Sequence, residues 1–129
     1  MIGRTNRFHG RAGIQRLLRT GQSVRSGALA LRYAPNPKRS SYRLAVVVSR
    51  KVSKSAVVRN RIRRRLYERV RFLSTDFTAA YDLALMVYDE QIAALPAADL
   101  DAEVAKLFKK AKLTSGDAAA HAIVEPKGN

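Results

Sequence analysis

The sequence predicts a single α+β domain in which helices pack on a small sheet around one core. Three observations carry this prediction. With 129 residues, the chain is long enough to bury one substantial core and too short for two. Apolar residues recur at spacings of three and four in three separate stretches, which marks amphipathic helices. Between and beside these lie three runs of strand character, two alternating and one continuously apolar.

Taken in order, Met1–Arg11 is polar and basic and is expected to be mobile until bound. Ala12–Arg19 places Ile14, Leu17 and Leu18 on one helical face and stops at Gly21. Val24–Tyr33 sets Leu29, Leu31 and Tyr33 on one side and Ala28, Ala30 and Arg32 on the other. It reads as one strand with a bulge or kink at Ser26-Gly27. Ala34–Ser41, with two prolines, an asparagine and two serines, is turn chemistry. Tyr42–Ser49 is nearly continuous Leu, Ala and Val, which predicts a central strand covered on both faces.

Ser53 or Ser55 is placed to cap a long helix that fades after Leu73. Val58, Ile62, Leu66 and Leu73 form its apolar stripe, with Arg69 and Val70 at the edge. At 100° per residue, Asn60, Arg64, Tyr67 and Arg71 point away from that stripe, and Arg59, Arg61 and Arg63 flank it. Tyr81–Asp89 alternates and supplies a third strand. Pro96 opens a final helix with Asp99, Asp101 and Glu103 early and Lys106, Lys109, Lys110 and Lys112 late, an order that complements the helix dipole. Leu100, Val104, Leu107 and Phe108 are its core stripe. One domain over residues 1–113 is therefore expected, followed by an aperiodic, disordered tail over 114–129.

The net charge is +15, and its distribution is informative. Residues 1–71 hold twenty basic residues and one acid, whereas residues 72–129 hold five basic residues and nine acids. A polyanionic partner would therefore meet the N-terminal half and the long helix, releasing condensed counterions as phosphates are neutralised. An anionic membrane surface is the competing partner, but the apolar stripe lacks the Trp/Phe/Leu character of membrane-lying helices. The longest strongly apolar runs, such as Leu44–Val48, are too short to span a bilayer, and no apolar signal core opens the chain. The absence of cysteine rules out disulfides and thiolate zinc sites and fits a cytoplasmic location.

Catalysis by side chains finds little support. A protein nuclease needs carboxylates around metal ions or a pair of acid–base groups. The basic half offers only Glu68, and His9 and His121 sit in the two ends. Asp82, Asp89 and Glu90 flank a strand, where capping and solubility explain them. No Gly-rich phosphate loop is present. Neither a catalytic residue nor a metal site is expected in this chain.

Between Arg50 and Arg71 the chain carries eight Arg, two Lys and one acid, Glu68. A solvated helix needs neither that preference for Arg nor the near absence of acids, whereas phosphate recognition uses the planar, bidentate guanidinium. Nucleic acid is the indicated partner. Composition leaves DNA and RNA open, since Asn60 with its flanking arginines could read a major groove and a sheet with a helix suits structured RNA or single strands.

The spelling of the stretch is more specific. Val48-Ser49-Arg50-Lys51-Val52, followed by Ala56-Val57-Val58-Arg59-Asn60-Arg61-Ile62-Arg63-Arg64, resembles the signature of the bacterial ribonuclease P protein subunit. That family carries Arg-Asn-Arg at the start of a basic helix, after a strand ending in Ser/Ala-Lys-Lys, and the resemblance extends over roughly Phe8 to Lys112. It implies a small domain of order αβββαβα with a left-handed βαβ crossover around the basic helix. It also implies a protein that binds a catalytic RNA and the single-stranded 5′ leader of precursor tRNA. The RNA performs the hydrolysis with Mg²⁺ that it holds itself, and the protein alone is expected to be a monomer.

Carried over by position, Arg59, Asn60, Arg61, Arg63 and Arg64, with Arg50, Lys51 and Lys54 before them, are the expected contacts to the catalytic RNA. The resemblance places the leader in a cleft between the sheet and the basic helix, here expected from Phe8, Ile14, Leu18, Arg32, Tyr33, Val46 and Val48. Ile14, Leu18 and Arg32 stand where the family carries aromatics, so apolar and guanidinium contacts are expected in place of stacking. Ser53 stands where the family often has glycine. The alternatives are a ribosomal or other structural RNA-binding protein and, further off, a stand-alone nuclease.

Overall fold

The computed structural model describes residues 6–8 and 10–114. Its helices are α1 (Arg11–Thr20), α2 (Ala56–Leu73) and α3 (Ala97–Lys110), and its strands are β1 (Gln22–Ser26), β2 (Leu29–Pro35), β3 (Arg43–Val47) and β4 (Tyr81–Val87). Along the chain they run αβββαβα, as expected from the resemblance. The sheet order is β1-β2-β4-β3. β1/β2 and β2/β4 are antiparallel, and β3 runs parallel to β4 with α2 as the crossover.

Two expectations are corrected here. The stretch Val24–Tyr33 is not one strand with a bulge but a hairpin, in which Ser26 faces Leu29 across Gly27 and Ala28. Gly27 has φ +57°, the conformation a two-residue turn requires at its first position and that only glycine adopts freely. Tyr42–Ser49 contributes β3, which lies at the end of the strand order and is not central. Among the described residues its outer edge is met by the Arg7↔Leu44 bridge, with the Phe8 N–H donating to the Leu44 carbonyl at 2.9 Å. The continuous apolar run nevertheless has a physical cause, because both faces of β3 are covered.

Strand periodicity divides the core in two. Leu29, Leu31, Leu44, Val46, Leu83, Leu85 and Val87 turn toward α2 and α3, where they join Ile62, Leu66, Val70, Leu100, Val104, Leu107 and Phe108. Ala45 and Ala84 turn to the other face and meet Leu17 of α1 and Phe8. Val70, expected at the edge of the α2 stripe, is fully buried at its centre. Phe77 packs edge-on against Phe108, Tyr42 and Tyr81, closing the large core at one end of the sheet. Each fully buried Leu, Ile or Phe contributes about 1.5–3 kcal/mol of transfer free energy, so α2 is fixed by its apolar face. Thr114 bridges to Phe77; the remainder of the predicted disordered tail, with His121, lies outside the described residues, as do His9 and Met1–Thr5.

Candidate nucleic-acid interface

The loop after β3 and the first turns of α2 are built by three serines. Val52 and Ser53 N–H groups donate back to the Ser49 carbonyl. Ser53 is buried, and its hydroxyl accepts from the Ser55 N–H at 3.2 Å. Ser55 is the N-cap, its hydroxyl accepting from the Val58 N–H at 3.2 Å, a bond typically worth about 1 kcal/mol of helix stability. Arg59 completes the turn by donating Nη1 to the Ser53 carbonyl at 2.9 Å.

This frame sets the direction of the charges. With Ile62, Leu66 and Val70 seated in the core, Asn60, Arg61 and Arg64 are exposed, and Arg59 and Arg63 are half-buried at the flanks. Arg50, Lys51 and Lys54 stand exposed in the preceding loop. All eight predicted RNA-contacting residues therefore fall in one loop and the helical turns it starts. Three other arginines of α2 are committed elsewhere. Arg65 donates to the backbone carbonyls of Ile92 and Leu95. Arg69 pairs with Asp101 at 3.2 Å, and Arg71 with Glu68 at 2.7 Å. The first half of α2 offers its charge outward and the second half spends it on the fold.

One residue of this face was not legible in the sequence. Arg7, in a segment read as mobile, runs beside β3 and lays its guanidinium over the Tyr67 ring, 5.2 Å from the ring centre. Arg7, Asn60, Arg63, Arg64 and Tyr67 line a cavity of about 360 Å³. A segment held to the sheet by an isolated bridge has no periodicity to announce it.

The residues expected in the leader cleft do not come together. Val46 and Val48 are buried in the core beneath α2 and α3, and Tyr33 packs against that same cluster. Ile14 and Leu18 pack on the opposite face with Phe8, and Arg32, also on that face, donates Nη1 to the Gly21 carbonyl at 3.2 Å. Sheet alternation explains the split, since odd residues of β2 and even residues of β3 turn to the α2 side. Phe8 is itself buried, with the Arg43 guanidinium 4.1 Å from its ring centre. Arg43 in turn holds Asp82 through bonds of 2.9 and 3.0 Å. The hydrogen bond to Asp82 raises the Arg43 pKa above its ordinary value, outweighing the opposing effect of partial burial. Tyr42 is a core residue, and burial raises the pKa of its phenol.

Among the described residues, no three His, Cys, Asp or Glu side chains converge to hold a metal ion. No helix among them is long and apolar enough to cross a membrane.

The family model that matches the chain is Ribonuclease P, over residues 2–112. A ribonuclease P protein component from Chloroflexus aggregans is 34% identical over 110 residues, covering 85% of this chain and 80% of the relative. The corresponding protein of a Synechococcus species is 34% identical over 116 residues, covering 88% and 86%. Among solved structures, the Staphylococcus aureus RNase P protein superimposes with a TM-score of 0.74 at 23% identity, covering 85% of this chain and 98% of that one. The Thermotoga maritima RNase P protein, in complex with 1-(4-fluorophenyl)-2-thiourea, gives 0.72 at 20% identity, covering 81% and 98%. The fold agrees with both, and by the extent of the family match and the identity to these relatives the chain belongs to the ribonuclease P protein component family.

Proposed function

We propose that this chain is the protein subunit of a cytoplasmic ribonuclease P, binding the catalytic RNA through the basic loop and α2 and aiding removal of the 5′ leader from precursor tRNA. The observation that carries this reading is the outward half of α2. There, Arg61 and Arg64 have no acidic partner among the described residues, while the neighbouring Arg65, Arg69 and Arg71 are all engaged. Such an array, held rigid by its buried stripe, favours a polyanion of fixed shape.

The leader belongs on the other side of the sheet. Arg32 and the half-buried Ile14 and Leu18 share that face with Val47, which is exposed at its end. This replaces the single cleft of seven residues with a face lined by four, offering apolar and guanidinium contacts. Among the described residues, Asp82 is engaged by Arg43, Asp89 caps the turn at Gln91, Glu68 pairs with Arg71, and no three acidic side chains converge. The hydrolytic Mg²⁺ would be held by RNA, with the protein supplying binding and orientation.

Isolation of the tagged protein with its bound RNA tests the assignment. One abundant ribonuclease P RNA is expected; ribosomal RNA in its place would make the chain a structural RNA-binding protein. Single substitutions separate charge from shape. Arg61→Ala should weaken RNA binding and flatten its salt dependence by about 0.7–0.9 in log–log slope. Asn60→Ala should lower affinity with little change in slope, because it removes a hydrogen-bonding group and no charge. Equal flattening by both substitutions would contradict this division of roles.

A further inference from the structure

The smaller core under α1 is completed by a side chain that belongs to neither the helix nor the sheet. Phe8 enters it from residues 6–8 and packs with Leu17, Ala45 and Ala84, while Ile14, Leu18 and Ala34 are partly buried around it. Gly13 leaves room for the ring on the α1 side, since a Cβ there would stand 3.0 Å from Phe8 Cε1 and 3.3 Å from Cζ. The Arg43 guanidinium lies over the ring, 4.1 Å from its centre, and Asp82 holds it there through bonds of 2.9 and 3.0 Å. Small residues on the walls and a fixed planar cation as the lid make a slot for a flat aromatic group. Nothing in it is particular to phenylalanine.

The segment that delivers Phe8 is lightly held. The Phe8 N–H donates to the Leu44 carbonyl at 2.9 Å, and Asn6 Nδ2 donates to the Tyr42 carbonyl at 2.7 Å and to Ser41 Oγ at 3.1 Å. These bonds run along the sheet edge, where water can replace them at little net cost. Docking also leaves Arg7 Nε shielded from solvent with no hydrogen-bond partner among the described residues, a penalty that release would lift. The chain enters α1 through Gly10, whose φ of +95° only glycine adopts freely and whose Cβ position meets nothing within 4 Å. Rotation about that φ swings the segment and leaves the Gly10 carbonyl on the Ile14 N–H.

We propose that Phe8 is a stand-in for a nucleobase: in the free protein it closes a base-binding slot between α1 and the sheet, and a base of the unpaired leader displaces it. The inference rests on the leader face proposed above, to which it adds an internal competitor. Arg32 and Val47 share the face of Ala45 and Ala84 with Ile14 and Leu18, so a strand laid across that face comes up against the slot. A base entering it exchanges one ring for another. It keeps the burial against Leu17 and the guanidinium lid, and it frees Arg7 Nε. Arg43 is already paired with Asp82, so it offers a stacking plane with little net charge, and the slot selects a base over a phosphate. The free protein thus keeps an apolar slot covered, and its leader affinity is lowered by the cost of undocking the segment.

An unpaired RNA oligonucleotide and the same oligonucleotide made abasic are the probes, read by NMR on the full-length protein. The first should move the Phe8 ring resonances to solvent-exposed positions and release the Asn6 side-chain amide; the abasic one should leave both in place. Phe8 unmoved while the Ile14, Leu18 and Val47 methyls respond would overturn the slot and leave the leader face standing. If none of them responds, the leader face itself fails and the slot loses its ligand. Equal release by the abasic oligonucleotide would show that backbone charge undocks the segment, and would also overturn the proposal.

A second arm locks the segment. The chain has no cysteine, so Asn6→Cys with Ser41→Cys can place one disulfide where the two side chains now touch at 3.1 Å. In the reconstituted holoenzyme, the oxidised form should bind a precursor tRNA with a long leader about tenfold more weakly than the same protein after reduction, the effect of one lost base stack. Leaderless tRNA should bind both forms alike. Equal binding of the long-leader substrate in the two redox states would make Phe8 a fixed core residue and overturn the proposal.

Discussion

At low ionic strength and low Mg²⁺, the ribonuclease P RNA alone is expected to lose cleavage of precursor tRNA, and addition of this protein to restore it. Two polyanions repel each other, and bulk salt screens that repulsion within about 10 Å at 0.1 M. A protein of net charge +15 replaces the screening locally, so the RNA should need less help as salt rises. The triple substitution Arg61→Ala, Arg63→Ala and Arg64→Ala should abolish the rescue. Those residues carry the outward charge of α2, and losing three phosphate contacts should reduce the slope of log affinity against log salt by about 2–3. Stability should change little, because none of the three is buried in the core.

The same reconstitution locates the chemistry. Glu68→Gln, Asp82→Asn, Asp89→Asn and Glu90→Gln together keep side-chain shape and most hydrogen bonding, including the acceptors for Arg43 and the Gln91 N–H. Single-turnover cleavage at saturating substrate should be nearly unchanged, with circular dichroism confirming the fold. A loss beyond about tenfold, or 1.4 kcal/mol of barrier, would place a catalytic metal on protein carboxylates.

The parts of this structure that could be read from the sequence are those with a local period. α2 was legible because its cap, its apolar repeat and its charge agree; Ser55, Ile62 and Leu66 each do what the pattern predicts. α3 was legible for the same reason, from Pro96 to Phe108. Alternation on both sides of the turn hides the hairpin, yet the apolar phase shifts from even at Val24 to odd at Leu29. That shift, with glycine opening a two-residue interval, is the signal of a turn. The position of β3 could not be read, since a continuously apolar run reports cover on both faces and not which strands lie beside it. Arg7 and the split of the leader face depend on pairing between distant segments, and one residue of register decides which side a side chain takes. The motif residues of the loop and α2 could be named from their spelling; the geometry that sorts Arg61 and Arg64 from Arg65 and Arg69 needed the tertiary fold.

Two neighbouring residues of β3 should respond in opposite ways to the same substitution. Val46 is 7% exposed and packs in the core with α2 and α3, whereas Val47 is 36% exposed on the face of α1. Val46→Asp buries a carboxylate with no partner, which should cost about 3–5 kcal/mol. Against a typical domain stability of about 5–15 kcal/mol, the variant should be largely unfolded or melt far below the wild type. Val47→Asp leaves its carboxylate in water and should cost no more than about 1 kcal/mol, from strand propensity. Its charge, however, stands on the same face of the sheet as Ile14, Leu18 and Arg32, where the leader is proposed to run. Val47→Asp should therefore weaken binding of a precursor tRNA with a long leader and leave the affinity for leaderless tRNA unchanged. Thermal melts of both variants and parallel binding of the two substrates decide the matter. If Val46→Asp melts like the wild type, the assignment of the two faces is wrong. If Val47→Asp weakens both substrates equally, the leader does not lie on the α1 face, and the effect is one of overall charge.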